Sequence, residues 1–325
     1  MLTATPRPNV QFRLSDGLVV VATTDPEDSL LRQFFELYDR AFILPSEKEE
    51  WDGFVDCLSL NHAPLYAGIE STWGPFREWV LLVRDSSAAN AVVGGANLAC
   101  FALPDASGAA VLSMNLNYIF VVPHCRGRGY LRRITGACQE LARRSFDPAP
   151  QATAAGLLTF VEQNDPLKLS ADEYALDSAH SGIDQIDRIR IWSRLGARII
   201  DFPYAQPALS DDQLSNTGLL LSVIGAQANG IDPCVLKLHL ERFFAISVLK
   251  NRDPNTDAVA RQQLSQCGDA CRANRPFALL DVQAWLDALG SGPPYQLHGA
   301  LSSRHGGSDG LIGVIKRAAD LAADR

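Results

Sequence analysis

Asn117-Tyr118-Ile119-Phe120-Val121-Val122-Pro123-His124-Cys125-Arg126-Gly127-Arg128-Gly129-Tyr130-Leu131-Arg132-Arg133-Ile134 reads as a strand, a glycine-rich turn and a helix start in direct succession. Tyr118 to Val122 is β-branched and aromatic, the composition of a buried strand. Pro123 ends that strand, because proline has no N–H to give to a ladder. Gly127 and Gly129 let backbone N–H groups approach a ligand with no Cβ in the way. After the turn, Leu131, Ile134, Cys138 and Leu141 fall on one helical face. The open N–H groups of that helix's first turn, and its dipole, favour an anion at the loop. Arg126, Arg128, Arg132 and Arg133 add positive charge there. The stretch predicts a site for a phosphorylated ligand.

Two phosphate loops do not fit. A dinucleotide fingerprint needs a third glycine where this chain has Arg132, and it follows the first strand of a βαβ unit rather than a late one. A Walker loop needs Gly-Lys-Ser/Thr, which is absent. Val121 to Leu131 instead resembles the acyl-CoA loop of the GCN5-related N-acetyltransferase (GNAT) superfamily, written V-x-P-x-x-R/Q-x-x-G-x-G/A. Arg126 and Gly129 match it, and Leu131 replaces the last small residue, which keeps the backbone N–H but narrows the approach. A second segment, Ile191-Trp192-Ser193-Arg194-Leu195-Gly196-Ala197, resembles that family's fY-x-K/R-L-G-F segment.

The rest of the chain sets the frame. Its 325 residues predict two domains, or one domain with a large appendage. With 47% hydrophobic and 20% charged residues the composition is that of a soluble globular protein. A net charge of −8 argues against general nucleic-acid binding. No apolar run reaches the length of a membrane span, and the first residues lack the apolar core of a secretory signal. Seven scattered cysteines predict reduced thiols and a cytoplasmic location. Cys267 and Cys271 have no second pair or histidine cluster nearby, so no metal is expected.

Periodicity predicts a strand in Gln11–Thr24, then a helix capped by Asp28 with Leu31, Phe34, Phe35, Tyr38 and Phe42 on its apolar face. Ser46-Glu47-Lys48-Glu49 has the form of a capping box opening a second helix through Trp51, Phe54 and Leu58. Strands follow at Glu78–Arg84, at Ala91–Leu103 with a bulge at Gly94-Gly95, and at Ala109–Val122 after a turn at Pro104–Gly108. The helix after the loop ends near Arg144, and a Pro/Ala-rich connection, Ser145–Ala155, leads to a strand at Gly156–Val161. A polar insert runs to Ile183. A helix with Ile186, Ile189, Ile191 and Leu195 ends at Gly196, and strands at Ala197–Pro203 and Gly218–Ile224 complete the order. Beyond Gly230, helices are predicted at Asp232–Asn251, Asp257–Arg272, Phe277–Leu289 and Leu311–Ala323. The domains are therefore residues 10–230, an acyl-CoA-binding domain by resemblance, and 231–325, a helical C-terminal extension.

The resemblance implies an α/β (α+β) fold. Its mixed, mostly antiparallel sheet splays between the fourth and fifth strands, and the pantetheine arm of acetyl-CoA lies in that gap. Phe120, Val121 and Val122 would hold pantetheine. Backbone N–H groups of Arg126, Gly127, Arg128, Gly129, Tyr130 and Leu131 would hold the pyrophosphate, with Asn164 and Trp192 along the channel. The implied reaction is attack of an amine on the thioester. Trp192 stands where family members often carry a tyrosine acid, and indole cannot protonate a thiolate. Tyr174 and Tyr204 are the alternatives for that acid. Glu162 is the first choice for the base, with Asn117 orienting a water; Tyr118 sits with Asn117 on the strand where the resemblance places a carboxylate in many members, Glu70 is a further candidate for the acceptor side, and His124 is a solvent-facing loop residue. The acids Asp165, Asp172, Glu173, Asp177, Asp184 and Asp187 of the insert could cover the acceptor site. The expected partner is a small-molecule or peptide amine, with a homodimer possible and no nucleic acid or membrane. A non-catalytic acyl-CoA-binding module is the alternative function.

Overall fold

The computed structural model describes residues 3–4, 7–44, 48–104, 110–147, 156–210, 212–288 and 310–323. Strands β1 (Thr3–Ala4), β2 (Asn9–Arg13) and β3 (Leu18–Thr23) open the chain, and helix α1 (Ser29–Ala41) follows. Asp28 caps α1 by accepting the Leu30 N–H at 2.8 Å, and Leu31, Phe34 and Tyr38 are buried against the sheet. The predicted first strand is thus a hairpin, turned at Gly17 with φ of 88°. Helix α2 (Trp51–Ser59) starts from Glu50, which makes no side-chain cap bond. The capping box predicted at Ser46–Glu49 lies partly outside the described residues.

Helix α3 (Leu65–Trp73) was not predicted, because its apolar residues make no clear stripe. Then come β4 (Phe76–Asp85), β5 (Ala91–Pro104), β6 (Ala110–Val121), α4 (Tyr130–Arg144), β7 (Phe146–Asp147) and β8 (Leu157–Asn164). The turn at Pro104–Gly108 and most of the connection at Ser145–Ala155 fall outside the described residues. The insert contains α5 (Ala171–Ser181), opened by a Ser170/Glu173 capping box that the sequence reading passed over. Helix α6 (Gln185–Arg194), β9 (Arg198–Ile200), β10 (Leu219–Ile224) and β11 (Gly230–Ile231) lead into α7 (Pro233–Phe243). A π-turn at Phe244–Val248 extends α7; α8 (Ala258–Arg272), β12 (Phe277–Leu280), α9 (Gln283–Ala288) and α10 (Gly310–Ala323) follow. Phe277–Leu280 was predicted as the start of a helix; its backbone instead joins the sheet as β12, pairing with β9 through Leu279–Ile200 and Leu280–Ile199.

Among the described residues the main sheet has ten strands in the order β11-β12-β9-β10-β8-β6-β5-β4-β3-β2. Every neighbouring pair is antiparallel except β6 with β8, which run parallel from Leu112–Leu157 to Leu116–Val161. Past that pair the two strands part. Opposite β5, the register shifts between Asn97 and Leu98, which places Asn117 as the extra residue of a bulge in β6. A second shift lies at Val93, one residue before the predicted Gly94-Gly95 pair. The parting of β6 and β8 is the splay that the resemblance implies.

The extension shares this architecture. Strands β11 and β12 continue the sheet, and Leu236, Leu240, Phe243 and Phe244 share one buried cluster with Phe101, Phe160 and Leu221. Cys234 and Cys271 form a disulfide. This corrects the expectation of reduced thiols throughout: α7 and α8 lie side by side and bring the start of one against the end of the other. The pairing removes cysteine usage as an argument for a reducing compartment. The remaining five cysteines are buried thiols, and Cys267, once set beside Cys271, is one of them. No described helix is long and apolar enough to cross a membrane.

Candidate functional site

One cavity of about 620 Å³ opens where β6 and β8 part. Its loop end is built by the segment that follows β6. Pro123–Cys125 forms a single 3₁₀ turn, and Gly127 and Gly129 both take left-handed backbone angles, φ 73° and 76°. No heavy atom lies within 4 Å of where a Cβ would stand on either glycine, so their faces open into space. Gly129 is the N-cap of α4, and the first bond that closes the helix runs from the Arg133 N–H to the Gly129 carbonyl. The N–H groups of Tyr130, Leu131 and Arg132 therefore precede the helical ladder, and Gly129, Tyr130 and Leu131 line the cavity. Arg126 differs, because its N–H donates to the Pro123 carbonyl.

Three of the four loop arginines are engaged elsewhere. Arg126 donates Nε to the Val121 carbonyl at 3.2 Å and Nη1 to the Ser181 carbonyl, tying the loop to the end of α5. Arg132 donates to the Arg194 carbonyl. Arg133 pairs with Asp16 at 2.7 Å and lies over the Tyr130 ring, whose hydroxyl donates to Asp85. Arg128, the fourth, is exposed and makes no hydrogen bond or ion pair to the described residues.

The gap itself corrects the predicted backbone contacts by one residue. The Val122 N–H donates to the Val93 carbonyl, so Val122 faces β5 and not the gap. Alternation along an antiparallel strand turns Phe120 the same way, and leaves Ile119 and Val121 facing β8. The Val121 carbonyl already accepts from Arg126, which leaves its N–H and both groups of Ile119 for a ligand. The Phe120 side chain still lines the cavity, as do Val121, Leu131, Asn164 and Trp192. Arg128 and Val122 do not. Trp192 is buried in the wall, 6% exposed.

At the other end, four adjacent strands present a polar strip made of Glu78, Asn97, Asn117 and Glu162, all lining the cavity. Asn117, thrown inward by the bulge, donates to Glu78 at 2.9 Å and to Asn97 at 3.0 Å. Asn97 also donates to Glu78, at 2.7 Å, and Ser247 of the π-turn donates to the second Glu78 oxygen at 2.8 Å. The Asn117 carbonyl oxygen accepts from Asn115, which also donates to Glu162 at 3.4 Å. Glu162 further accepts from Tyr204 at 2.5 Å and Gln206 at 3.1 Å. Withdrawal from water raises both carboxyls to about 7, while their hydrogen bonds hold them down against it.

Behind the strip, His239 of α7 stacks on Phe160 and joins Ser113 to Asn115 through its two ring nitrogens at 2.6 and 3.3 Å. Burial lowers its pKa to about 3, so it is a neutral imidazole. Glu49 also lines the cavity and is paired with Lys250 at 2.9 Å; burial raises its carboxyl.

The structure thus gathers Asn117, Glu162 and most of the predicted channel residues, and leaves others out. Tyr174 does not line the cavity; its hydroxyl donates to Asp184 at 2.6 Å, inside the α5–α6 corner. That removes it as an acid for a leaving thiolate. Tyr204 is buried behind Glu162, and Glu70 accepts from Tyr66 on α3. His124 is exposed in the 3₁₀ turn. Tyr118 lines the cavity within an aromatic cluster with Tyr38, Phe42 and Phe54. The acids of the insert mostly serve structure. Asp165 accepts from Leu311 at the start of α10, Asp184 caps α6, Glu173 completes its capping box, Asp187 pairs with Arg190 and Asp177 with Arg188. Among them only Asp177 lines the cavity.

Glu78, Glu49 and Ser247 were missed. A glutamate opening the apolar run Trp79–Val83 was the available signal for Glu78, since a charge in a doubly covered strand needs a reason. Nothing local marked Ser247.

No protein-family model matches the chain, and no curated protein matches it. Among solved structures, Arabidopsis thaliana NAA60 in complex with acetyl-CoA is 12% identical over 66% of this chain and 96% of its own, with a TM-score of 0.33. The ribosomal-protein-S18-alanine N-acetyltransferase from Escherichia coli is 11% identical over 66% and 92%, with a TM-score of 0.31. Likenesses this loose add nothing at the level of residues, where the reading rests on the geometry above.

Proposed function

We propose that this chain is an acyl-CoA-dependent N-acyltransferase of the GNAT superfamily that transfers an acetyl group from acetyl-CoA to an amine. The observation that carries the reading is a single cavity with an anion-binding helix start at one end and a hydrogen-bonded carboxylate, Glu162, at the other. Between them the parted strands offer unpaired backbone groups for the amide-bearing pantetheine arm. Glycines with open faces at 127 and 129 fit a bulky pyrophosphate against the first turn of α4.

In this reading the amine nitrogen attacks the thioester carbon and the new C–N bond forms. Glu162 takes the proton the nitrogen sheds, directly or through a water held by Asn117. A carboxyl near neutrality is matched to that task. The tetrahedral oxygen is met by a backbone N–H of β6 past Leu116, where the ladder with β8 has ended. The C–S bond then breaks and CoA leaves as the thiolate. Neither Tyr174 nor Tyr204 lines the cavity, so in this reading the thiolate leaves unaided or takes its proton from water. Positioning accounts for most of the rate in such a site.

The test is release of free CoA thiol from acetyl-CoA in the presence of a panel of amines, with acetyl-CoA binding measured alongside. Amine-dependent release supports the enzyme. Tight binding with no release for any amine would favour the non-catalytic CoA-binding module instead.

A further inference from the structure

The floor of the cavity carries three carboxyls, Glu49, Glu78 and Glu162, and among the described residues only the first has an ion-pair partner. Glu49 is neutralised by Lys250. Glu78, 1% exposed, accepts three hydrogen bonds from neutral groups, and Glu162 accepts three more; among the described residues neither has an ion-pair partner. Buried carboxylates without a counter-charge are costly, and a cationic ligand offsets that cost. Beside Glu162, Gln163 also lines the cavity; it is 6% exposed and its Oε1 has no partner, while its Nε2 donates to Ser222. That oxygen is an open acceptor on the cavity wall.

The two carboxylates are joined through the Asn117 and Asn115 amides by three hydrogen bonds, which puts them roughly 11 Å apart at most. A chain of four or five methylenes with a nitrogen at each end, about 6–8 Å from nitrogen to nitrogen, fits within that limit once its own hydrogen bonds are counted. Phe42, Phe54 and Tyr118 line the same cavity and give it an apolar, aromatic surface that suits methylenes. The cationic side chains that line the cavity, Arg126, Arg188 and Arg194, come from the loop and the α5–α6 region.

Resting on the acyltransferase reading, we propose that the acceptor is a short aliphatic diamine, its reacting nitrogen at Glu162 and its second, protonated nitrogen at Glu78. The charge at Glu78 is then a specificity device: a monoamine of equal length leaves that carboxylate without a counter-ion.

Calorimetric titration of 1,4-diaminobutane, butylamine and 4-amino-1-butanol into the full-length protein at about pH 8, where the carboxyls are ionised and alkylamines protonated, tests this. The diamine should bind at least about tenfold more tightly than either monoamine. Glu78→Gln should bring the three within about twofold of one another, while Ser247→Ala, which keeps the charge, should retain the preference. Equal affinities in the wild type, no diamine binding, or a preference that survives Glu78→Gln would overturn the proposal. Each titration is run with and without CoA. Failure of CoA to bind would sink the acyltransferase reading alone, because the diamine arm still reads the floor.

Discussion

The loop end of the cavity presents its charge on the backbone, and the floor presents its charge on side chains. At the loop, the donors are amides of consecutive residues, Tyr130, Leu131 and Arg132, aimed by a helix start and two left-handed glycines. Three of the arginines that look like phosphate ligands are instead ties to the surrounding structure. At the floor, Glu78, Asn97, Asn117 and Glu162 come from four strands, and Ser247 from the far end of the chain. A backbone site therefore depends on conformation and tolerates side-chain changes. A side-chain site depends on each group and on the polar partners that hold it.

The largest expected effect lies at the floor. Glu162→Gln keeps the shape and can still accept from Tyr204, but cannot take a proton. Thiol release at saturating substrates should fall by about 10²–10⁴-fold, the usual contribution of a general base. Unchanged release would move the base elsewhere and blur the contrast between the two ends.

A stability effect of a few kcal/mol should follow pH. The carboxyls of Glu78 and Glu162 rise from 4.5 to about 7 in the folded protein. The folded state thus keeps protons that the unfolded chain releases, so their contribution is full below pH 4.5 and is lost as pH climbs through about 7. Melting temperature should drop between about pH 4.5 and about pH 7 and level off above that, and Glu78→Gln should flatten part of that drop. In the same window the pH–rate profile should show an inflection near 7 that Glu162→Gln lacks.

Next in size is a packing change beneath the loop. A Cβ on Gly94 would stand 2.2 Å from the Phe120 carbonyl oxygen and 2.6 Å from Ile134 of α4. Gly94→Ala should cost about 1–3 kcal/mol of stability by pushing α4 off the sheet, read as a lowered melting temperature. A neutral result would mean that α4 is less firmly seated than the backbone-site account requires.

The smallest effect belongs to the one unengaged loop arginine. Arg128→Ala should weaken acetyl-CoA binding by no more than about 1 kcal/mol, and the difference should shrink at high salt. Arg133→Ala, whose side chain serves Asp16, should leave that affinity unchanged.

The same contrast explains what the sequence disclosed. A backbone site needs its residues in succession, so Pro123, Arg126, Gly127 and Gly129 announced the loop, the helix and the fold together. The strand order followed from periodicity in β4, β5, β6 and β8. The floor needed residues from distant segments in register, and a bulge at Asn117 that no local pattern marks. Glu78 looked like an ordinary strand end, and Ser247 like an ordinary helical serine. The insert misled for a related reason: its acids cluster in sequence, but caps and ion pairs disperse their charge in the fold. Cys234 and Cys271, 37 residues apart, pair because two helices lie side by side, which spacing alone does not reveal.

The division of labour between the ends is tested most directly by the dissociation constant of acetyl-CoA for two variants, measured by calorimetry after circular dichroism shows both folded. Gly129→Val forces a β-branched residue into a left-handed conformation at φ 76° and puts bulk where the phosphates would sit. The account predicts that this change weakens acetyl-CoA binding by at least about tenfold, while Glu162→Gln leaves it within about twofold of wild type. Normal binding by the glycine variant, with binding lost in the glutamate variant, would contradict it.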